Sequence, residues 1–156
     1  MTDQPETATK GALDGLVVLD LTRILAGPTC TQMLGDLGAE VIKIENPISK
    51  GDDTRGWGPN FARDAAGDPT DLSAYFMAAN RNKRSVAVDI ASADGQALLR
   101  RMAARADLVV ENFKPGGLKK YGLDAETLCA AHPGLVYCSI SGYGQTGPNS
   151  ALPGYD

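Results

Sequence analysis

Three short clusters in this 156-residue sequence combine residue types that could do chemistry. Asn112-Phe113-Lys114 sets an amide, an aromatic face and an ammonium side by side. Those groups suit stacking on a base and pairing with a phosphate. Ala26-Gly27-Pro28 lets backbone approach a ligand closely, because the residues are small or lack a Cβ. The same triplet also makes a plain strand-to-helix turn. Asp156, behind Tyr155, offers a carboxylate that could act as an acid, a base or a support for a nucleophile.

Two other patterns are weaker in context. Residues 142–147 (GYGQTG) match the dinucleotide-binding spacing G-x-G-x-x-G. Pro148, Asn149, Ser150 and then Pro153-Gly154 follow, which does not open a helix, and a pyrophosphate site needs that helix N-terminus. A Gly-rich loop is the better reading. Cys129 and His132 are three apart, so a thiol–imidazole pair is formally possible, but Cys129 sits in an apolar helical stretch. With no C-x-x-C and a single histidine, Cys30, Cys129 and Cys138 do not make a zinc site. They read as reduced cysteines packed as small hydrophobes. No metal is expected.

The elements that must position these clusters alternate along the chain. Residues 15–21 (GLVVLDL) form a short apolar run and read as a buried strand. Gly27-Pro28 opens a helix to about Leu37, and Gly38 stops it. Residues 40–45 (EVIKIE) alternate as a second strand, and 46–70 read as a long irregular loop. A short helix is predicted over 71–79, a polar connector over 80–84 and a strand over 85–90. Residues 92–106 form the strongest helix, with Leu98, Leu99, Met102, Ala103 and Ala106 in one stripe. Strands are predicted at 107–113 and 135–141, with a helix at 124–131 ended by His132-Pro133-Gly134. Strand–helix alternation with apolar strands implies an α/β fold with a parallel sheet. Ligands then bind beyond the carboxyl ends of the strands. That points to residues 22–28, 46–55, 112–117 and 142–156.

Composition sets the outer limits. Hydrophobic residues make up 43% and charged residues 22%, so a globular chain is expected. The apolar runs are far shorter than the roughly twenty residues of a membrane helix, and residues 1–12 read as a polar leader without a signal-peptide core. A cytoplasmic protein without membrane contact is expected. The net charge of −4 hides a division. Residues 81–120 carry nine Lys/Arg against four Asp/Glu, whereas the flanking segments are acidic. A basic middle in an acidic chain suits a local anionic ligand, such as a phosphate-bearing cofactor, and not a nucleic acid. Arg100, Arg101 and Arg105 share the spacing of one solvated helix face.

The ordered segments together resemble a family. LDLTRILAGP at 19–28, LGDLGAEVIKIE at 34–45, GDDTRGWGP at 51–59, NRNKRS at 80–85, VENFKPG at 110–116 and SGYGQTGP at 141–148 are similar to class III CoA-transferases of the carnitine/formyl-CoA transferase type. The resemblance runs from about residue 13 to 156. It implies a Rossmann-like parallel sheet flanked by helices, as part of the large domain, in a homodimer whose subunits interlock. It implies acyl-CoA and carboxylic acids as substrates. An aspartate would attack the acyl-CoA carbonyl, giving an acyl–aspartyl anhydride and then an aspartyl-CoA thioester.

Carried over position by position, the resemblance places CoA contacts at Leu25 and Ala26, at the strand end Val88, Asp89, Ile90 and Ala91, at Asn112, Phe113 and Lys114, and at Lys120. Arg84 is a further phosphate partner by charge alone. Tyr155 and Asp156 would approach the thioester, with Asp156 as a supporting acid. Leu25 replaces a glutamine found in one branch, and Asn46 replaces a basic residue that meets the CoA phosphates. The related α-methylacyl-CoA racemases carry a histidine where Tyr155 stands, so transfer is favoured over racemisation. The nucleophilic aspartate and the small domain are expected beyond residue 156. A succinyl-CoA or other acyl-CoA donor with a dicarboxylic acid acceptor is the expected reaction. Acyl-CoA racemase and a non-catalytic Rossmann-like binding module are the alternatives.

Overall fold

The computed structural model describes residues 10–154. Tyr155 and Asp156 lie outside the described residues. Among the described residues, seven strands and four α-helices follow one another: β1 (Val17–Asp20), α1 (Ala26–Asp36), β2 (Glu40–Glu45), β3 (Phe61–Arg63), β4 (Pro69–Ser73), α2 (Ala74–Asn80), β5 (Lys83–Ala87), α3 (Ala93–Ala103), β6 (Leu108–Glu111), α4 (Ala125–Ala131) and β7 (Val136–Ser139). Short 3-10 turns lie at Asp53–Gly56 and Lys119–Tyr121.

Five strands form one parallel sheet in the order β5-β2-β1-β6-β7. The chain lays down β1, steps outward through β2 and β5, then crosses back to β6 and β7. The direction of winding therefore reverses between β1 and β6. In open α/β sheets that reversal leaves a crevice at the carboxyl ends of the two strands.

The sequence explains why β1 is central. Val18 and Leu19 are both 2% exposed, one on each sheet face, because a parallel strand is covered on both sides. Val18 joins Val41 and Val110 in the cluster that also takes Leu34 of α1, while Leu19 joins Val109, Leu99 and Leu128 in the larger cluster with α3 and α4. The α3 stripe behaves as its period demands: Leu99 and Ala103 are buried, and Leu98, Met102 and Ala106 pack against the same cluster. Ser92 caps that helix by accepting the Gly95 N–H at 3.0 Å.

Three expectations need correction. Residues 46–70 are not wholly irregular: they hold the 3-10 turn and an antiparallel β3–β4 hairpin. The hairpin strands are short and polar, too brief for alternation to show. The helix expected from residue 71 begins at Ala74, because Ser73 is its cap and Thr70-Asp71-Leu72 belong to β4. Lys83 and Arg84 belong to β5 and not to a connector, and β5 ends at Ala87. As an edge strand it does not need an apolar sequence, so its start was hidden.

Candidate functional site

Each of the three inner strands ends on a buried carboxylate: Asp20 in β1, Glu45 in β2 and Glu111 in β6. A buried charge must be paired or hydrogen-bonded, and all three bind the loop beyond the sheet. Asp20 accepts from the Thr22 N–H at 2.9 Å and hydroxyl at 2.5 Å, and from the Thr31 hydroxyl at 2.6 Å. It also pairs with the Lys83 ammonium at 3.1 Å, which reaches beneath α1 to the Pro28 carbonyl. Burial lowers the Lys83 pKa, and Asp20 offsets part of that effect. Glu111 accepts from the Phe113 N–H at 2.7 Å.

Glu45 is the most heavily bonded. It takes both arms of the Arg55 guanidinium at 2.7 and 2.8 Å, the Ser85 hydroxyl at 2.6 Å and the Asp52 N–H at 2.9 Å. Burial alone would raise its pKa, but Arg55 and the other donors outweigh burial and hold it at about 2. The guanidinium also lies over the Phe76 ring, 3.9 Å from its centroid. Gly51, at φ +97°, has no room for a side chain against Glu45 and Arg55.

A fourth carboxylate, Asp52, sits beside this group. Its partner Lys43 is 1% exposed, and the pair stands at 3.0 Å. Burial opposes ionisation of Asp52, yet Lys43 and the Thr54 donors keep its pKa below the usual carboxylate range. Lys43 also donates to the Thr22 carbonyl at 2.9 Å.

These groups converge on the loop that leaves β1. The Thr22 N–H goes to Asp20, the Arg23 N–H to the Asn112 amide oxygen at 2.9 Å, and the Ile24 N–H to Asp52 at 3.2 Å. Asn112 also donates to the Arg23 carbonyl at 2.7 Å, while the Arg23 side chain pairs with Asp53. Ile24 has φ +72°, a left-handed conformation that is an outlier for a β-branched residue. Gly27 then passes so close to Thr22 that any Cβ would overlap it. The result is α1 starting at Ala26 with no side-chain acceptor on its first N–H groups and Leu25 49% exposed beside it. An uncapped helix start favours an anion or a developing oxyanion.

The structure brings most of the expected residues to this end of the sheet. Val88, Ile90 and Phe113 line one depression together with Thr22, Arg23 and Asn46. Asp89 folds back to accept the Ala91 N–H at 2.9 Å. Lys114 and Lys120 are exposed on the connection after β6, with the Lys120 ammonium 4.7 Å from the Tyr121 ring centroid. Asn112 lies in the crevice, but its amide is engaged with Arg23 on both its oxygen and its nitrogen. Arg84 is the exception. It lines a separate depression at the amino ends with Leu16 and Asn82, and pairs with Glu40 at 2.9 Å. Its place in β5 fixes this: it stands three residues before the strand's end. Cys129 donates weakly to the Leu135 carbonyl at 3.7 Å. The loop after β7 leads into no helix within 142–154. Among the described residues, no group of His, Cys, Asp or Glu could hold a metal ion, and no helix is long and apolar enough to cross a membrane.

Residues 13–156 match the model of CoA-transferase family III. The chain belongs to this family. Family III relatives share its sequence closely: it is 53% identical to the succinate–glutarate CoA-transferase of Agrobacterium fabrum over all of this chain and 38% of that protein. It is 50% identical to the human succinyl-CoA:glutarate CoA-transferase, over 92% of this chain and 31% of that one. Among solved structures, a CAIB/BAIF family protein from Brucella suis superimposes with a TM-score of 0.87 at 54% identity, covering 95% of this chain and 38% of that one. The chain thus spans about a third of the length of these relatives, 31% to 38%.

Reasoning from the sequence missed the buried charges. Asp20, Lys43, Glu45, Asp52 and Glu111 all stand in or beside segments treated as strands or loops. A signal was present: three apolar strands each end on an acid, in VVLD, EVIKIE and LVVE. A charge inside a run that must be buried asks for a partner.

Proposed function

We propose that this chain forms the CoA-binding part of an enzyme that moves coenzyme A between carboxylic acids. The observation that carries the reading is the family match along residues 13–156. The geometry is compatible with it: an uncapped helix start follows β1, Phe113 lines the depression beyond the strand ends, and Lys114 and Lys120 are exposed on the connection after β6. On this reading Leu25 and Ala26 meet the thioester end of CoA, and Val88 to Ala91 with Phe113 meet the adenine. Lys114 and Lys120 face the phosphates.

The donor we favour is succinyl-CoA, and the acceptor a dicarboxylic acid, following the names of the Agrobacterium and human relatives. Those names also favour transfer over racemisation. In the reaction we propose, an aspartate outside residues 1–156 attacks the thioester carbonyl and CoA leaves as thiolate. The thiolate attacks the aspartyl carbonyl of the anhydride, releasing the donor acid and leaving an aspartyl-CoA thioester. The acceptor carboxylate then attacks that thioester, expelling CoA thiolate and forming a second anhydride, and the thiolate attacks its acceptor carbonyl to give the new acyl-CoA and free the aspartate. Asp156 would support these steps. A homodimer in the cytoplasm is the setting we propose.

The test is direct. The full-length protein is incubated with succinyl-CoA and glutarate, and the CoA esters are separated and weighed by mass spectrometry. Glutaryl-CoA together with free succinate is expected. Hydrolysis to free CoA alone, or exchange at the α-carbon of a branched acyl-CoA without transfer, would overturn the reading.

A further inference from the structure

We propose that Asn112 is a positioning residue, which holds the β1 loop in the conformation that receives CoA and does not contact CoA through its amide. The inference rests on the CoA reading above and concerns how that site is built. Three observations carry it. The Asn112 amide oxygen accepts the Arg23 N–H and its nitrogen donates to the Arg23 carbonyl, at 2.9 and 2.7 Å. That two-point tie crosses the place where the sheet's winding reverses, joining the residue after β6 to the third residue after β1. The next residue, Ile24, is held at φ +72° with only Asp52 on its own N–H, at 3.2 and 3.3 Å.

A β-branched residue resists that conformation, so the loop must be held from outside. Asn112 and Asp52 grip it on consecutive residues. Leu25 and the first N–H groups of α1 follow at once, so their direction depends on the turn at Ile24. Remove the tie, and the turn relaxes toward negative φ and carries Leu25 and Ala26 away. Glycine at position 24 would adopt the same φ without help.

This makes a double-mutant cycle decisive. The full-length protein is prepared as wild type, Asn112→Ala, Ile24→Gly and the double variant. Free CoA is titrated calorimetrically, and succinyl-CoA kinetics are measured alongside. Asn112→Ala is expected to weaken CoA binding about tenfold, the loss of two hydrogen bonds. It should raise the KM for succinyl-CoA while changing kcat less than about threefold. In the Ile24→Gly background the same replacement should cost less than about threefold, because the loop no longer needs the tie. An equal loss in both backgrounds means that Asn112 touches CoA itself, and overturns the proposal. So does an unchanged affinity in Asn112→Ala. If that variant melts far below wild type, Asn112→Asp replaces it, keeping the Arg23 N–H acceptor and losing the donor. It too should bind CoA more weakly, and unchanged binding would contradict the tie. A wild-type protein that binds no CoA sinks the functional reading as well, a result distinct from one in which the wild type binds and the cycle is additive.

Discussion

The two ends of the same sheet carry ion pairs of similar length and opposite consequence. At the amino ends, Arg84–Glu40 and Arg81–Asp36 lie on the surface, at 2.9 and 2.5 Å. At the carboxyl ends, Lys43–Asp52 and Lys83–Asp20 close at 3.0 and 3.1 Å with all four side chains almost wholly buried. Surface pairs trade Coulomb attraction in water against side-chain entropy, and net little. Buried pairs gain little as pairs but cost much when broken, because the partner left behind stays out of water. The amino end is therefore decorated with charge, whereas the carboxyl end is assembled by it. The loops beyond those strand ends hang on the buried groups.

The contrast can be broken at four points. The largest effect belongs to Asp52→Ala, which strands the Lys43 ammonium and frees Ile24. A loss of about 3–5 kcal/mol is expected in urea unfolding of the full-length protein. Replacing Lys43 by Met in the same chain should restore part of it, since no charge is then left unpaired. A loss under about 1 kcal/mol would mean that water reaches the pair.

Acid is the next probe. The folded pKa of Glu45 is about 2 against an ordinary 4.5, so the unfolded chain takes up the proton first. The stabilisation is complete above about pH 5 and fades as pH falls toward 2, on the order of 3 kcal/mol in all. Thermal melts between pH 6 and pH 3 should show it, and the slope should shrink in Arg55→Ala, where the partner that most depresses the pKa is gone. A slope unchanged by that replacement would place the acid sensitivity elsewhere.

Thr31→Val removes one donor from Asp20 while leaving Thr22 and Lys83 in place. About 1–2 kcal/mol should be lost, and a neutral result would show that Asp20 is over-supplied with donors. The smallest effect belongs to the amino end. Arg84→Ala should change stability by less than about 0.5 kcal/mol. It should also leave CoA affinity within about twofold, since Arg84 stands roughly 10 Å of strand before the site. A tenfold loss of affinity there would bring the amino end into the site after all.

Much of the sheet was legible because burial on both faces forces continuous apolar runs, as in GLVVLDL and DLVVENF. The α3 stripe was legible for the same reason at a helical period. The start of β5 and the β3–β4 hairpin were not, since an edge strand and a short hairpin need no apolar run. The end of the sheet that carries the crevice can be placed from strand ends alone, and Val88 and Phe113 do line a depression there. The buried pairs could not be, because Lys43 meets Asp52 only after the chain has turned back through Gly51. Arg84 shows the converse: charge alone says nothing about which end of a strand a residue occupies.

On the function proposed above, CoA is held at the carboxyl ends of β1 and β6. Hydrogen exchange of the full-length protein, with and without saturating CoA, tests it most directly. Added protection is expected in peptides covering residues 22–30 and 112–118, with none over 11–16 and 82–84. Protection confined to the amino-end segments, in a protein shown to bind CoA, would contradict the account.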